Sequence, residues 1–369
     1  MDSLTKVQNM FELKKPSDRR EIPVFPQIIS WCGTAAGMTQ AEIISSDKKW
    51  HEAMAKTFRL IGKPDMVFAV SIGRAVFAEA MPARLPGREL PDDALYQFIE
   101  TQNMEYEDYD FITKNGWNAF YYPYMMRIQN PPMKSMLQLM PKLIALGLHI
   151  NSNTKRYRKQ DMATSFNYAV YPAFDMISLI RSVEPFLMDV VEDEEGVIHD
   201  ALRRATPEII KDSITNTKRF KGDKICVFAM RSSCSFLSPT LFEEYSWPYL
   251  KQMIEDYHKA GIRTILHADG NWLPVLKYFR ELPKGCVHFE LDGATDIFKA
   301  YEELDGWQSM RGDVPATMFA FGKPEEVSEY CEKLITELGM RGGFMLGSGC
   351  EVPLNAKAEN VKAMIDAVR

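Results

Sequence analysis

Four residues in the last third of the chain carry groups that can bind a metal: His267, Asp269, Glu290 and Cys350. Each closes a short run of apolar or β-branched residues, in T-I-L-H-A-D-G-N, V-H-F-E-L-D and G-G-F-M-L-G-S-G-C. An imidazole, two carboxylates and a thiol make a mixed N/O/S set of the kind Zn²⁺ accepts in four-coordinate sites. Zinc fingers take their ligands in close CxxC-like pairs, and these four are spread too widely for that. Single ligands from the ends of successive strands suit a catalytic site at the mouth of a barrel instead. The plainer use of such residues, satisfying a backbone group or an ion pair at a strand end, stands beside this reading.

The elements that must position them alternate strand and helix. D-K-I-C-V-F-A-M reads as a strand, and a helix follows, capped by Ser238 before Pro239 and stopped at Gly261. The strands I-R-T-I-L-H, C-V-H-F-E and S-M-R-G-D-V-P come next, then a helix begun at Pro324, a last strand G-G-F-M-L and a closing helix over 359–369. A further helix is expected over 294–306. Upstream, 22–31 and 66–72 read as strands. Apolar residues at 50, 54, 58 and 61 predict a helix with Ser46 or Asp47 as N-cap. A helix from 133 is expected to stop at Gly147, with the basic stretch 151–161 as a polar loop or insertion. Strand–helix alternation at roughly 30-residue spacing, with no GxGxxG after the first strand, favours an α/β fold of the (β/α)₈ TIM-barrel type over a doubly wound sheet. The whole of 1–369 is expected to form one such domain, with 1–20 as an N-terminal extension of short helix and linker.

Two other stretches invite a ligand. C-G-T-A-A-G-M-T, with Gly33 and Gly37, is either a loop that lets a ligand approach the backbone or a plain turn. Trp31, Tyr121, Tyr122, Phe236 and Trp272 either line an aromatic pocket or pack in the core.

Composition narrows the partners. The chain has 369 residues, 46% hydrophobic and 25% charged, enough for a large core. Its 44 basic and 50 acidic residues leave a net charge of −6 and no basic stripe, which argues against nucleic acid. Six cysteines without paired spacing fit a reduced, cytoplasmic protein. No apolar run approaches the roughly 18 residues of a membrane span, and no secretory leader is evident.

The stretch 238–360 resembles the C-terminal half of the uroporphyrinogen decarboxylase superfamily, in its corrinoid-dependent methyltransferase branch. The residues that carry the resemblance are S-P-T-L-F-E-E-Y-S-W-P-Y-L-K, H-A-D-G-N, G-K-P-E-E-V and G-G-F-M-L-G-S-G-C-E-V-P, with Asn360 downstream. Weaker similarity reaches the first strand and G-M-T-Q-A-E. In that branch a His-x-Cys pair, a Glu and a distant Cys hold zinc. The resemblance therefore implies that His267, Glu290 and Cys350 are catalytic ligands, while Asp269 stands where the branch has its first Cys. It acts either as an oxygen ligand or as a carboxylate that orients His267. The implied activity is zinc-dependent methyl transfer between a small methylated substrate and the cobalt of a corrinoid (cobalamin) carried by a partner protein. The harder donor set leans towards an O-methyl ether. The alternatives are a decarboxylase-type lyase and a non-catalytic partner of a corrinoid protein. The lyase is disfavoured because I-I-S-W-C-G-T-A-A-G-M lacks the arginines that a substrate with many carboxylates needs.

Overall fold

A computed structural model describes residues 1–304 and 306–369, with every side chain among them except that of Phe77. The strands in chain order are β1 Val24–Gln27, β2 Met66–Val67, β3 Ala83–Arg84, β4 Gln97–Phe98, β5 Ala163–Thr164, β6 Tyr168–Val170, β7 Lys224–Phe228, β8 Arg263–Ala268, β9 Val287–Leu291, β10 Ser309–Val314 and β11 Phe344–Glu351. Seven of them form one curled parallel sheet in the order β1-β11-β10-β9-β8-β7-β6. The fold class is α/β, as expected, but the ring is not closed as one ladder. β2 and β5 pair with each other in a separate parallel ladder. A backbone bond from Asp65 N to Val24 O, 3.0 Å, links the start of that pair to β1. The expected strand over 66–72 shrinks to two residues, because Ser71 already opens the helix Ile72–Ala75. β3 and β4 form a small antiparallel excursion.

Alternation along the strands divides the core in two. Ile225, Val227, Leu266, Phe289, Met310 and Leu346 face the helices, whereas Phe25, Cys226, Ile265 and Met345 face the concave side. The N-terminal helix Ser3–Phe11 is more than an extension. Val7, Met10 and Phe11 are buried against that concave-side cluster, so the helix plugs the end of the curled sheet where the strands begin. A groove of about 870 Å³ beside it, lined by Val7, Phe11, Lys224 and Arg263, is remote from the strand C-termini that carry the candidate ligands.

Helix signals read well where a cap and a stripe coincide. Ser46 accepts from Lys49 N, and Trp50, Met54 and Ile61 are buried along Asp47–Ile61. Ser238 accepts from Leu241 N ahead of Pro239. The helix expected over 294–306 is Ile297–Leu304, and Asp305 lies outside the described residues. Two expectations fail. The stretch 151–161 is mostly not a loop, since one helix runs from Met136 to Arg158 through Gly147. A Cβ at Gly147 would collide with the ring of Phe220, so this glycine serves close helix packing and ends nothing. The Gly33 segment is also no loop: Trp31–Ala36 is a short helix, and Gly37 closes it at φ +68°.

Candidate metal centre

The ladder register places the central residues abreast. Phe228 pairs with His267, His267 with Glu290, Glu290 with Arg311, and Arg311 with Met345. Neighbouring parallel strands lie roughly 4.8 Å apart, so side chains of the same facing touch across this row. His267 Nδ1 is 2.9 Å from Glu290 Oε2, and Glu290 Oε1 is 3.4 Å from Arg311 Nε. All three are buried.

Arg311 anchors the row from beneath. It is fully buried, donates to Ser348 O at 2.7 Å and to Gln27 Oε1 at 2.9 Å, and lies 5.0 Å from the Phe25 ring. Gly347 makes room for it, because a Cβ there would stand 2.7 Å from Arg311 Cγ. Burial pushes the Glu290 carboxyl up, but Arg311 and His267 outweigh it and hold the group down to about 2. An ionised Glu290 can only accept, so His267 Nδ1 carries a proton and donates. That leaves Nε2 for the opposite side of the ring.

On that side stand Asp269 and Cys350. His267 Nε2 is 3.3 Å from Asp269 Oδ1 and 3.9 Å from Cys350 Sγ. Ligand atoms of His267, Asp269 and Cys350 all lie within 4.8 Å of one another, a cluster found among the described residues. Glu290 is not part of it; it holds the far nitrogen of the same imidazole. Burial pulls the His267 pKa down, yet Asp269, Cys350 and Glu290 together raise it well above 6.5.

Local structure explains the aim of each side chain. Asp269 follows β8 in a turn where Gly270 adopts φ +85°, Asp292 accepts from Gly270 N at 2.9 Å, and Trp272 Nε1 donates to Asp269 O at 3.0 Å. Cys350 depends on an irregularity. Met345 faces the concave side, and strict alternation would turn residue 350 away from it. The pairing with β1 becomes irregular between Phe25↔Gly347 and Gln27↔Glu351, and in this irregular stretch Cys350 Sγ comes within 3.9 Å of His267 Nε2.

Other sequence candidates fall elsewhere. Trp31 and Trp272 are buried in the core, and Trp31 Nε1 donates to Ala356 O. Tyr122 donates to Asp212 at 3.2 Å, Tyr121 stacks on Trp117 at 5.1 Å, and Phe236 is 42% exposed beneath the Arg231 guanidinium. Phe228 meets the His267 ring edge-on at 5.4 Å and was not singled out in the sequence. Nor was Arg311, although a lone arginine inside S-M-R-G-D-V was a visible signal. His288 shares the facing of Glu290 but lies deeper, bonded through Nδ1 to Ser309, and burial takes its pKa down to about 3. Asp175, also buried, accepts from Arg231 N at 2.6 Å and from Ser232 N and Oγ, fixing the turn after β7. No helix among the described residues is long and apolar enough to cross a membrane.

Comparison with known proteins adds the lineage. The family described as Uroporphyrinogen decarboxylase (URO-D) matches residues 172–369. The uroporphyrinogen decarboxylase of Anaeromyxobacter dehalogenans is 27% identical over 127 residues, 34% of this chain and 35% of that protein. That of Hordeum vulgare is 24% identical over 181 residues, 48% of this chain and 52% of its own length. The matches thus span between about a third and a half of these curated relatives. Among solved structures, a methyltransferase from Methanosarcina mazei shares the fold with a TM-score of 0.70, over 100% of this chain and 98% of its own, at 16% identity.

Proposed function

The chain belongs to the uroporphyrinogen decarboxylase family, and on that premise we propose that it is a zinc-dependent methyltransferase. It moves a methyl group between a small methylated substrate, best an O-methyl ether, and the cobalt of a corrinoid carried by a partner protein. The observation that supports this reading most is the convergence of His267 Nε2, Asp269 Oδ1 and Cys350 Sγ at the strand C-termini. The fold shared with the Methanosarcina mazei methyltransferase is consistent with it.

The residues fit a zinc ion. Asp269 Oδ1 is buried and takes no hydrogen bond, although an imidazole nitrogen stands 3.3 Å away. In the metal-free chain the charged His267 ring offsets the burial of this oxygen, and a metal taking Nε2 would stand in for that charge. His267, Asp269 and Cys350 would hold the metal, leaving a position for substrate as catalytic sites do. Zinc held there supplies Lewis acidity to the heteroatom that carries or receives the methyl group. Glu290 fixes the His267 tautomer and ring orientation through Nδ1, and Arg311 holds Glu290. Asp269 in place of a thiolate makes the donor set harder and better matched to an oxygen substrate.

The second reading is the tetrapyrrole decarboxylation for which the curated relatives are named. The stretch from Ile28 to Met38 carries no arginine, and Arg311 is buried beneath Glu290. A substrate with many carboxylates finds no matching cations there. Elemental analysis of the purified protein, with a screen of methyl ethers against reduced corrinoid protein, tests the proposal. About one zinc per chain and methylated corrinoid are expected. A metal-free chain that releases CO₂ from uroporphyrinogen would support the second reading instead.

A further inference from the structure

A second group of side chains stands beside the metal-capable cluster, centred on a carboxyl that has no basic side chain paired with it among the described residues. Glu79 Oε2 accepts from the Tyr171 hydroxyl at 2.6 Å. Its other oxygen takes no hydrogen bond, and no lysine or arginine pairs with it, among the described residues. The carboxyl is pushed up by burial, which Tyr171 only partly offsets. The Tyr171 ring lies 5.4 Å from that of Phe228, and Phe228 lies 5.4 Å from the His267 ring. Glu79 is therefore joined to the cluster by two aromatic rings in succession.

The surroundings are acidic throughout. Glu351, next to Cys350, accepts from Ser30 N at 2.6 Å and from the Tyr96 hydroxyl at 3.3 Å. Burial and the nearby carboxylates Glu351 and Glu79 push the Tyr96 phenol up. Nearby cations are engaged elsewhere: Arg231 pairs with Glu100 at 2.6 Å, and Arg311 lies beneath Glu290. A partly buried carboxyl with one phenol donor and aromatic rings close by is a donor set that an ammonium group can pair with, since the cation favours the ionised carboxylate. An anion finds no cation to pair with here, and a neutral group gains nothing from an ionised Glu79.

We infer that Glu79, with the rings of Tyr171 and Phe228, binds a positively charged ammonium group on the substrate, set apart from the atom that carries the methyl. This rests on the methyl-transfer reading only for why a substrate comes to the strand C-termini. It narrows the substrate class to small methylated compounds bearing a quaternary or protonated amine.

The test is equilibrium binding to the full chain by calorimetry, which needs no turnover. The probes are (2-methoxyethyl)trimethylammonium and its neutral carbon isostere, 1-methoxy-3,3-dimethylbutane. The cation should bind at least about tenfold more tightly than the isostere, and Glu79→Gln should remove most of that difference. Zinc content of wild type and Glu79→Gln should be equal. Absence of saturable cation binding, an isostere that binds within about twofold of the cation, or a Glu79→Gln variant with undiminished preference would overturn the inference. The comparison of the two probes on wild type stands even if the variant fails to fold. A protein without zinc that still prefers the cation would undo the zinc assignment while leaving the ammonium site in place.

Discussion

His267 Nδ1 lies 2.9 Å from Glu290 Oε2, and this contact turns Nε2 of the same ring towards Asp269 and Cys350. One imidazole thus separates a structural carboxylate, tied to Arg311, from the pair of side chains suited to a metal. The division follows from register, since His267 and Glu290 are direct partners on β8 and β9.

Glu290 should matter for stability as much as for metal binding. Its carboxyl is held down to about 2 against an ordinary 4.5, so its contribution is complete above pH 4.5 and is lost as pH falls through about 2. The size is roughly 3 kcal/mol. Glu290→Ala, which strands the buried Arg311 charge, should cost about 3–5 kcal/mol in urea denaturation at pH 7. Glu290→Gln should retain the fold and weaken zinc binding about 10–100-fold. Unchanged zinc affinity in Glu290→Gln would show that His267 needs no orienting partner.

Zinc and protons should compete at His267. The metal-free imidazole is held in its charged form well above pH 6.5, so its stabilising contribution is full below 6.5 and fades as pH rises through the raised folded value. A metal must displace that proton from Nε2, and zinc affinity should therefore rise with pH by about tenfold per unit for this proton, with any proton lost from the Cys350 thiol adding to it. Calorimetric titration of zinc at pH 7 in buffers of different ionisation enthalpy should show proton release. Zinc uptake without proton release would contradict the assignment of Nε2 as a ligand.

The cluster itself is tested by exchanging donors. Cys350→Ser should lower zinc affinity at least about tenfold, because a hydroxyl binds zinc far less well than a thiolate. Asp269→Asn should also weaken it, whereas Asp269→Cys should retain metal and shift preference towards sulfur-containing substrates. Circular dichroism should show all three variants folded. If Asp269→Asn and Asp269→Cys both bound zinc like the wild type, Asp269 would be a turn residue and not a ligand.

Asp175 provides a pH signature away from the cluster. Burial raises its carboxyl to about 6 although Ser232 and the Arg231 and Ser232 amides oppose the shift. The folded state then holds a proton that the unfolded state releases near 3.8, so stability falls as pH rises from about 3.8 to about 6, by roughly 3 kcal/mol. Asp175→Asn should flatten this slope in denaturation midpoints measured between pH 4 and pH 7. A slope equal to that of wild type would place the titrating group elsewhere.

What the sequence reveals depends on whether a signal is local. His267, Asp269 and Cys350 stood out as polar groups ending apolar runs, and Ser46 and Ser238 as helix caps. Glu290 stood out equally, but its side of the imidazole depends on strand register, which single segments do not carry. Cys350 meets His267 where the pairing of β1 with β11 becomes irregular, which no single segment announces. Gly147 gave a false stop because its partner, Phe220, is distant in sequence. Arg311 and Glu79 escaped notice for the same reason: each becomes meaningful only beside residues from other parts of the chain. The curled sheet was legible from strand–helix rhythm, whereas its incomplete ladder between β1 and β6 was not.

The most direct measurement is methyl transfer from an O-methyl ether to reduced corrinoid protein, followed by the change in cobalt absorbance, with the zinc-loaded and the chelator-stripped chain. The account predicts turnover with zinc, its loss on stripping and its return on adding zinc back. Equal turnover by the stripped chain, or no methyl transfer from any ether by the zinc-loaded one, would contradict it.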